Sequence, residues 1–158
     1  MKKTLREIHK HKNILAPTDG SAFSDKAVKE AAELAKELGS KLVVFYAVPQ
    51  YQLPPLTEGL STATSRQEKE RAQKALEAHA QAVLASAAQK AKLPNGTLDR
   101  HFVVSNSPYA AILDAAKKFK CDLIVMASHG IRGVSGLLLG SETQKVLIHS
   151  KIPVLVVR

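Results

Sequence analysis

Tryptophan is missing from this 158-residue chain, aromatic residues make up 4% of it, and there is one cysteine, Cys121. A lone thiol can make neither an internal disulfide nor a thiolate cluster for structural zinc, which excludes cystine-stapled scaffolds and zinc fingers and fits a reducing compartment. No stretch approaches the roughly 18 uncharged apolar residues of a membrane span, and the opening MKKTLREIHKHKN holds no apolar core for a signal peptide. The expected location is the cytoplasm. Glycine and proline, 8 and 7 residues, are too few for a fibrous or low-complexity chain. Acidic residues are also scarce, 14 against 23 lysines and arginines, for a net charge of +9. Residues 1–12 carry a net +4 of this, from Lys2, Lys3, Arg6, Lys10 and Lys12 against Glu7. A basic balance favours polyanionic ligands in general. The tail has no interleaved aromatics and no groove-reading motif, so nucleic acid is not the expected partner. His9 and His11 alone are too few to hold a metal.

What remains is an ordinary globular composition, 45% hydrophobic and 23% charged, of a size for one core. A basic tail (1–12) is expected to precede a single domain (13–158). Asn13-Ile-Leu-Ala16 reads as a short buried strand ended by Pro17 and the turn Thr18-Asp-Gly-Ser21. Ala27, Ala31, Leu34, Ala35 and Leu38 then recur at helical spacing until Gly39. Lys41–Val48 is almost continuously apolar, as a strand covered on both faces requires. Residues 49–64, with three prolines and a glycine, predict a long loop, and Ser65 with Glu68 predicts a capping box opening a helix to Ala91. Leu98–Val104 predicts a third strand, Ser107-Pro108 a cap and N1 proline before another helix, and Asp122–Ala127 a fourth strand. A short helix from about Ser141 and a strand over 153–157 close the chain. Alternating strands and helices with right-handed crossovers predict an α/β fold: a doubly wound five-stranded parallel sheet between helical layers, order 3-2-1-4-5. Ligands of such sheets bind beyond the carboxyl ends of the strands where the winding reverses, so the loops after Ala16, Val48 and Ala127 form the candidate site.

Those loops carry neither G-x-x-x-x-G-K-[ST] nor G-x-G-x-x-G, which disfavours phosphate-loop NTPases and dinucleotide dehydrogenases. The clustered carboxylates of a phosphoacceptor receiver are absent too, since only Asp19 follows the first strand. The informative stretch is Ala127–Thr143, in which four glycines precede a helix start. Glycines let the backbone approach an anion, and the first amides of the helix, at Ser141, Glu142 and Thr143, have no intrahelical acceptor. A helix end contributes only ~0.3–1 kcal/mol toward an exposed anion, against about 8 kcal/mol for micromolar binding, so base and ribose must supply much of the rest. Arg132, Gly133 and Gly136 could join the phosphate contacts or stay solvated. His129 has no orienting partner nearby in sequence and is not expected to act as a base. Asp19 could accept from a ribose or from its own turn, and Cys121 reads as core.

Asn13-Ile-Leu-Ala-Pro-Thr-Asp-Gly-Ser21, Phe45-Tyr-Ala-Val48, Met126-Ala-Ser-His-Gly130, Leu139-Gly-Ser141 and Lys151-Ile-Pro-Val-Leu-Val156 together resemble the universal stress protein family over almost the whole chain. The ATP-binding branch carries G-x-x-G, nine residues, then G-[ST]. Here nine residues separate Gly130 from Gly140, Ser141 follows, and Ala127 replaces the first glycine. The resemblance implies an adenine-nucleotide (ATP or AMP) binding stress-response protein with a regulatory or protective role. It implies that Asp19 accepts from ribose hydroxyls, that Pro17, Thr18 and Ala47 line the adenine pocket over a floor of Met126 and Ala127, and that Gly130, Gly140, Ser141 and Thr143 hold the phosphates, the last two adding hydroxyls. Mg²⁺ would be held through the phosphates. Ala127 is expected to weaken binding, because a side chain there disfavours positive φ and could press on the ribose. A two-fold homodimer through residues 153–157 is also implied. The competing readings are a slow ATP hydrolase and a nucleotide-free dimeric interaction module.

Overall fold

The structure, a computed structural model, describes residues 11–50, 62–130 and 139–158, with the side chains of 62–65 left aside. Within them the order is β1 (Asn13–Pro17), α1 (Ala22–Leu38), β2 (Lys41–Val48), α2 (Thr62–Ala91), β3 (Leu98–Val104), α3 (Pro108–Lys118), β4 (Leu123–Ala127), α4 (Ser141–His149) and β5 (Val154–Val157). The strands form one sheet in the order β3-β2-β1-β4-β5, all parallel, as the alternation of elements predicts.

The unbroken apolar runs of the central strands become a two-sided core because side chains alternate across the sheet. Ile14, Ala16, Leu42, Val44, Tyr46, Val48, Leu123 and Val125 pack on α1 and α2. Leu15, Val43, Phe45, Ile124 and Met126 pack on α3 and α4. Alanines on α1 (Ala27, Ala31, Ala35) and α2 (Ala80, Ala87) let these helices sit close to the strands, and Leu84 is wholly buried between them. Cutting Leu84 to alanine would cost about 2–5 kcal/mol of stability. Gly39 ends α1 in the left-handed region at φ 64°, its amide returning to the Ala35 carbonyl.

At the amino end of the sheet, Asp122 receives the Lys12 amide at 2.8 Å and lies 3.3 Å from His11 Nδ1, while Asn13 Nδ2 donates to the Lys120 carbonyl at 3.1 Å. Cys121, just before β4, is buried; burial first, and the Asp122 charge second, push its thiol up to about 11. It is a core residue, as the sequence predicts.

Four local expectations are corrected. The helix after the long loop starts at Thr62, so Ser65 and Glu68 lie inside α2 rather than at the start where a capping box belongs. The strand expected from Asp122 opens at Leu123, and that expected over 153–157 opens at Val154. Ser107 precedes α3, but its side chain makes no capping bond; the acceptor comes from α4, where Glu142 Oε2 takes the Tyr109 amide at 2.8 Å. A partner 33 residues away is beyond what a local pattern can show. The basic tail through Lys10, including His9, and most of the 49–64 loop lie outside the described residues.

Candidate functional site

Winding reverses between β1 and β4, and the first wall of the resulting crevice is the turn after β1. Pro17 ends that strand buried beside Phe45, and the Thr18 amide donates to the Phe45 carbonyl at 2.8 Å. Thr18 is buried too. Its hydroxyl shares a 3.0 Å hydrogen bond with Ser24 Oγ and accepts the Gly20 amide at 3.2 Å. Ser21 caps α1 by accepting the Ser24 amide at 3.1 Å, and Asp19 Oδ1 accepts the Ser21 amide at 3.0 Å. One oxygen of Asp19 therefore does bond its own turn. Burial raises the Tyr46 hydroxyl above its ordinary pKa, and the negative charge of Asp19 adds to the rise, so the two groups are in electrostatic reach.

The second wall is the end of β4 and the start of α4. Met126 and Ala127 are buried, and Ala47 of β2 packs against the same cluster as Met126. Ala127 closes β4, and Lys92 and Lys120 are the described non-glycine residues with positive φ, so Ala127 carries no left-handed strain. Its carbonyl accepts Thr143 Oγ1 at 2.9 Å, a bond buried inside the fold. The Thr143 hydroxyl expected on a phosphate is thus turned inward, which leaves that residue's amide for the site. Gly140 donates its amide to the Ser128 carbonyl at 2.7 Å and accepts the Gln144 amide at 3.0 Å. Ser141 then opens α4 exposed to solvent, and the amides of Ser141, Glu142 and Thr143 form its first turn.

The two walls touch where the glycines stand. A Cβ placed on Gly130 would lie 2.5 Å from Asp19 Oδ2, and one on Gly140 would lie 3.2 Å from the Ser128 carbonyl oxygen and 3.4 Å from His129 Cα. Neither glycine has positive φ, Gly140 sitting at φ −58°; Gly140 is fitted closely against backbone, and Gly130 against the movable Asp19 carboxylate. Asp19 is brought against Gly130, Gly140 against residues 128–130, and Thr143 against Ala127, while Pro17, Ala47 and Met126 lie at neighbouring strand ends. Arg132, Gly133 and Gly136 lie outside the described residues.

His129 Nδ1 shares a 3.0 Å hydrogen bond with Ser128 Oγ, and its ring lies 6.0 Å from that of Phe23 on α1. The group that orients the imidazole is a hydroxyl, not the carboxylate a general base would use. Ser24 and Ser128, and the side chain of Glu142, also take part in these walls and were not expected to from the sequence. Ser24 stands three residues after the cap Ser21, a spacing that could have found it. The other two act through main-chain geometry and a long-range contact that leave no local signal.

With this geometry in hand, similarity to known proteins is specific. Residues 10–158 match the model of the universal stress protein family. A universal stress protein of Thermus aquaticus is 36% identical over 93% of this chain and 98% of its own. One from Methanocaldococcus jannaschii is 34% identical, covering 94% of this chain and 82% of its own. A universal stress protein solved in complex with cAMP aligns with a TM-score of 0.66 at 26% identity, covering 94% of this chain and 97% of that one.

Proposed function

The chain belongs to the universal stress protein family, and from that membership we propose that it binds an adenine nucleotide, ATP or AMP, at the crevice between β1 and β4 and serves a regulatory or protective stress role in the cytoplasm. The observation that carries the reading is the convergence of Asp19 with Gly130, and of Gly140 and the first turn of α4 with residues 128–130, at one place in the crevice. Asp19, whose Oδ1 accepts the Ser21 amide, is the carboxylate that faces the ribose hydroxyls in this reading. Amides at the start of α4 and the exposed Ser141 hydroxyl receive the phosphates, while Gly130 and Gly140 let the chain segments around them pack closely. Pro17, Thr18 and Ala47 border the adenine, and Met126 and Ala127 lie beneath it. Among the described residues no three His, Cys, Asp or Glu side chains gather as a metal cage. In this reading Mg²⁺ enters with the nucleotide, held by phosphate oxygens. The cAMP complex of a family member supports an adenine nucleotide as the ligand class.

Isothermal calorimetry with ATP and AMP tests this directly. Saturable heat with thermal stabilisation is expected, and neither at millimolar ligand overturns it. Assembly is a second part of the reading. β5 is a sheet edge whose Leu155 is 45% exposed, and an apolar edge with unpaired backbone groups invites a second copy. A homodimer through residues 153–157 covers it, and sedimentation showing a monomer at micromolar concentration overturns that part. No described helix is long and apolar enough to cross a membrane.

A further inference from the structure

We infer that Glu142 is a positioning residue, one that holds the phosphate end of the crevice at a fixed distance from its adenine end; the inference rests on the nucleotide reading above. Glu142 follows Ser141 in the first turn of α4, where a carboxylate aimed at the ligand would repel phosphate. It is aimed elsewhere. Oε2 accepts the Tyr109 amide at 2.8 Å, and Oε1 pairs with Lys145 Nζ at 2.9 Å. Lys145 in turn lies 5.4 Å above the Tyr109 ring, which stands 5.5 Å from that of His149. The carboxylate is thereby partly neutralised and fixed in direction, and it supplies the cap that Ser107 does not give to α3.

The start of α3 is itself tied to the end of β2. Ser105 donates its amide to the Val48 carbonyl at 2.8 Å, Gln50 donates its amide to Asn106 Oδ1 at 3.1 Å, and Asn106 Nδ2 returns a bond to Gln50 Oε1 at 3.3 Å. A continuous set of contacts thus runs around the rim, from the amides of α4 through Glu142 to Tyr109, and from the loop before α3 to the strand end beside Ala47. Glu142 ties the first turn of α4 to this run by hydrogen bond, while Lys145 and His149 meet the Tyr109 ring farther along the same helix. Without Glu142 the first turn of α4 keeps its own helix but loses its spacing from the adenine side, and a mononucleotide spanning both ends feels the change while a nucleoside does not.

The test is calorimetric titration of ATP and of adenosine into the unsubstituted chain, Glu142→Gln and Glu142→Ala, with amide exchange at Tyr109 followed by NMR. Glu142→Ala is expected to lose about five- to tenfold in ATP affinity, a coupling of ordinary size, while adenosine binds within about twofold of the unsubstituted chain. Faster exchange at Tyr109 should accompany it. Glu142→Gln keeps an oxygen for the Tyr109 amide and should restore both readouts to near the original. An equal loss for adenosine, or no rescue by glutamine, overturns the positioning role. ATP binding untouched by Glu142→Ala overturns it alone, whereas absence of ATP binding by the unsubstituted chain overturns the nucleotide reading and this role with it.

Discussion

The two walls of the crevice are built by different means. The turn after β1 is wired by side chains: Thr18, Asp19, Ser21 and Ser24 exchange hydrogen bonds within seven residues of sequence. The β4–α4 wall is held by main chain and by missing side chains, through the Gly140-to-Ser128 amide bond and the space left at Gly130 and Gly140. The first wall can lose one partner and keep the others, so damage to it is graded. The second has least slack at Gly140, where an added atom meets backbone. Substitutions that add atoms should therefore do their worst on the β4 side, and deletions should matter most on the β1 side.

Gly140→Val is the sharpest way to test that contrast. Its Cβ would press on the Ser128 carbonyl at 3.2 Å and on His129 Cα at 3.4 Å, neither of which is the end of a flexible side chain. Overpacking costs about 1–3 kcal/mol or more, and it displaces the amides proposed to meet phosphate. We expect ATP affinity to fall about a hundredfold, at 1.4 kcal/mol per tenfold, by calorimetry, with folding checked by circular dichroism. Affinity within threefold of the unsubstituted chain would remove this wall from the site.

Asp19→Ala comes next. A hydrogen bond to a charged group is worth about 1.5–3 kcal/mol, so a loss of at least about tenfold is expected, equal for ATP and AMP because both carry the ribose. A loss confined to ATP would place Asp19 on the phosphates instead. The same substitution leaves the Ser21 amide without its carboxylate acceptor, yet Ser21 still caps α1, so the melting temperature should shift little.

How far the sequence revealed this arrangement follows the same division. Continuous apolar runs predict β2 and β4 because burial on two faces leaves no alternation to read, and Gly39 marks the end of α1 because the left-handed cap favours glycine. Asp19, Gly130 and Gly140 stand out by motif spacing. What stayed hidden are contacts between residues far apart in the chain: Glu142 on Tyr109, 33 positions apart, and Thr143 on Ala127, 16 apart. A hydroxyl at a helix start looks the same in sequence whether it faces a ligand or a strand carbonyl. The cap expected at Ser107 failed because a better acceptor arrived from another helix, and tertiary contacts outrank local pattern.

Thr143→Val separates those two possibilities. Valine keeps the shape and leaves the buried Ala127 carbonyl without its donor, which costs about 1–3 kcal/mol. For a chain of this size each kcal/mol lowers the melting temperature by about 2–4 °C. Since the hydroxyl donates to the buried Ala127 carbonyl, the expected result is a lower melting temperature with ATP affinity reduced less than fivefold. A large affinity loss at unchanged stability would return the hydroxyl to the phosphates.

Ala127→Gly should do least, and it tests the one position where the chain departs from the glycine pattern it resembles. At the end of β4 the alanine is 7% exposed and free of positive φ, so neither strain nor an exposed methyl gives glycine much to improve. Glycine in a strand loses about 0.5–1 kcal/mol of stability relative to alanine. The expected outcome is a slightly less stable protein whose ATP affinity changes by less than about twofold, an energy difference below the 1.4 kcal/mol of a tenfold step. If binding were to appear only in the glycine variant, the methyl would be blocking the ribose, and the unsubstituted chain would be a nucleotide-free interaction module built on the same two walls.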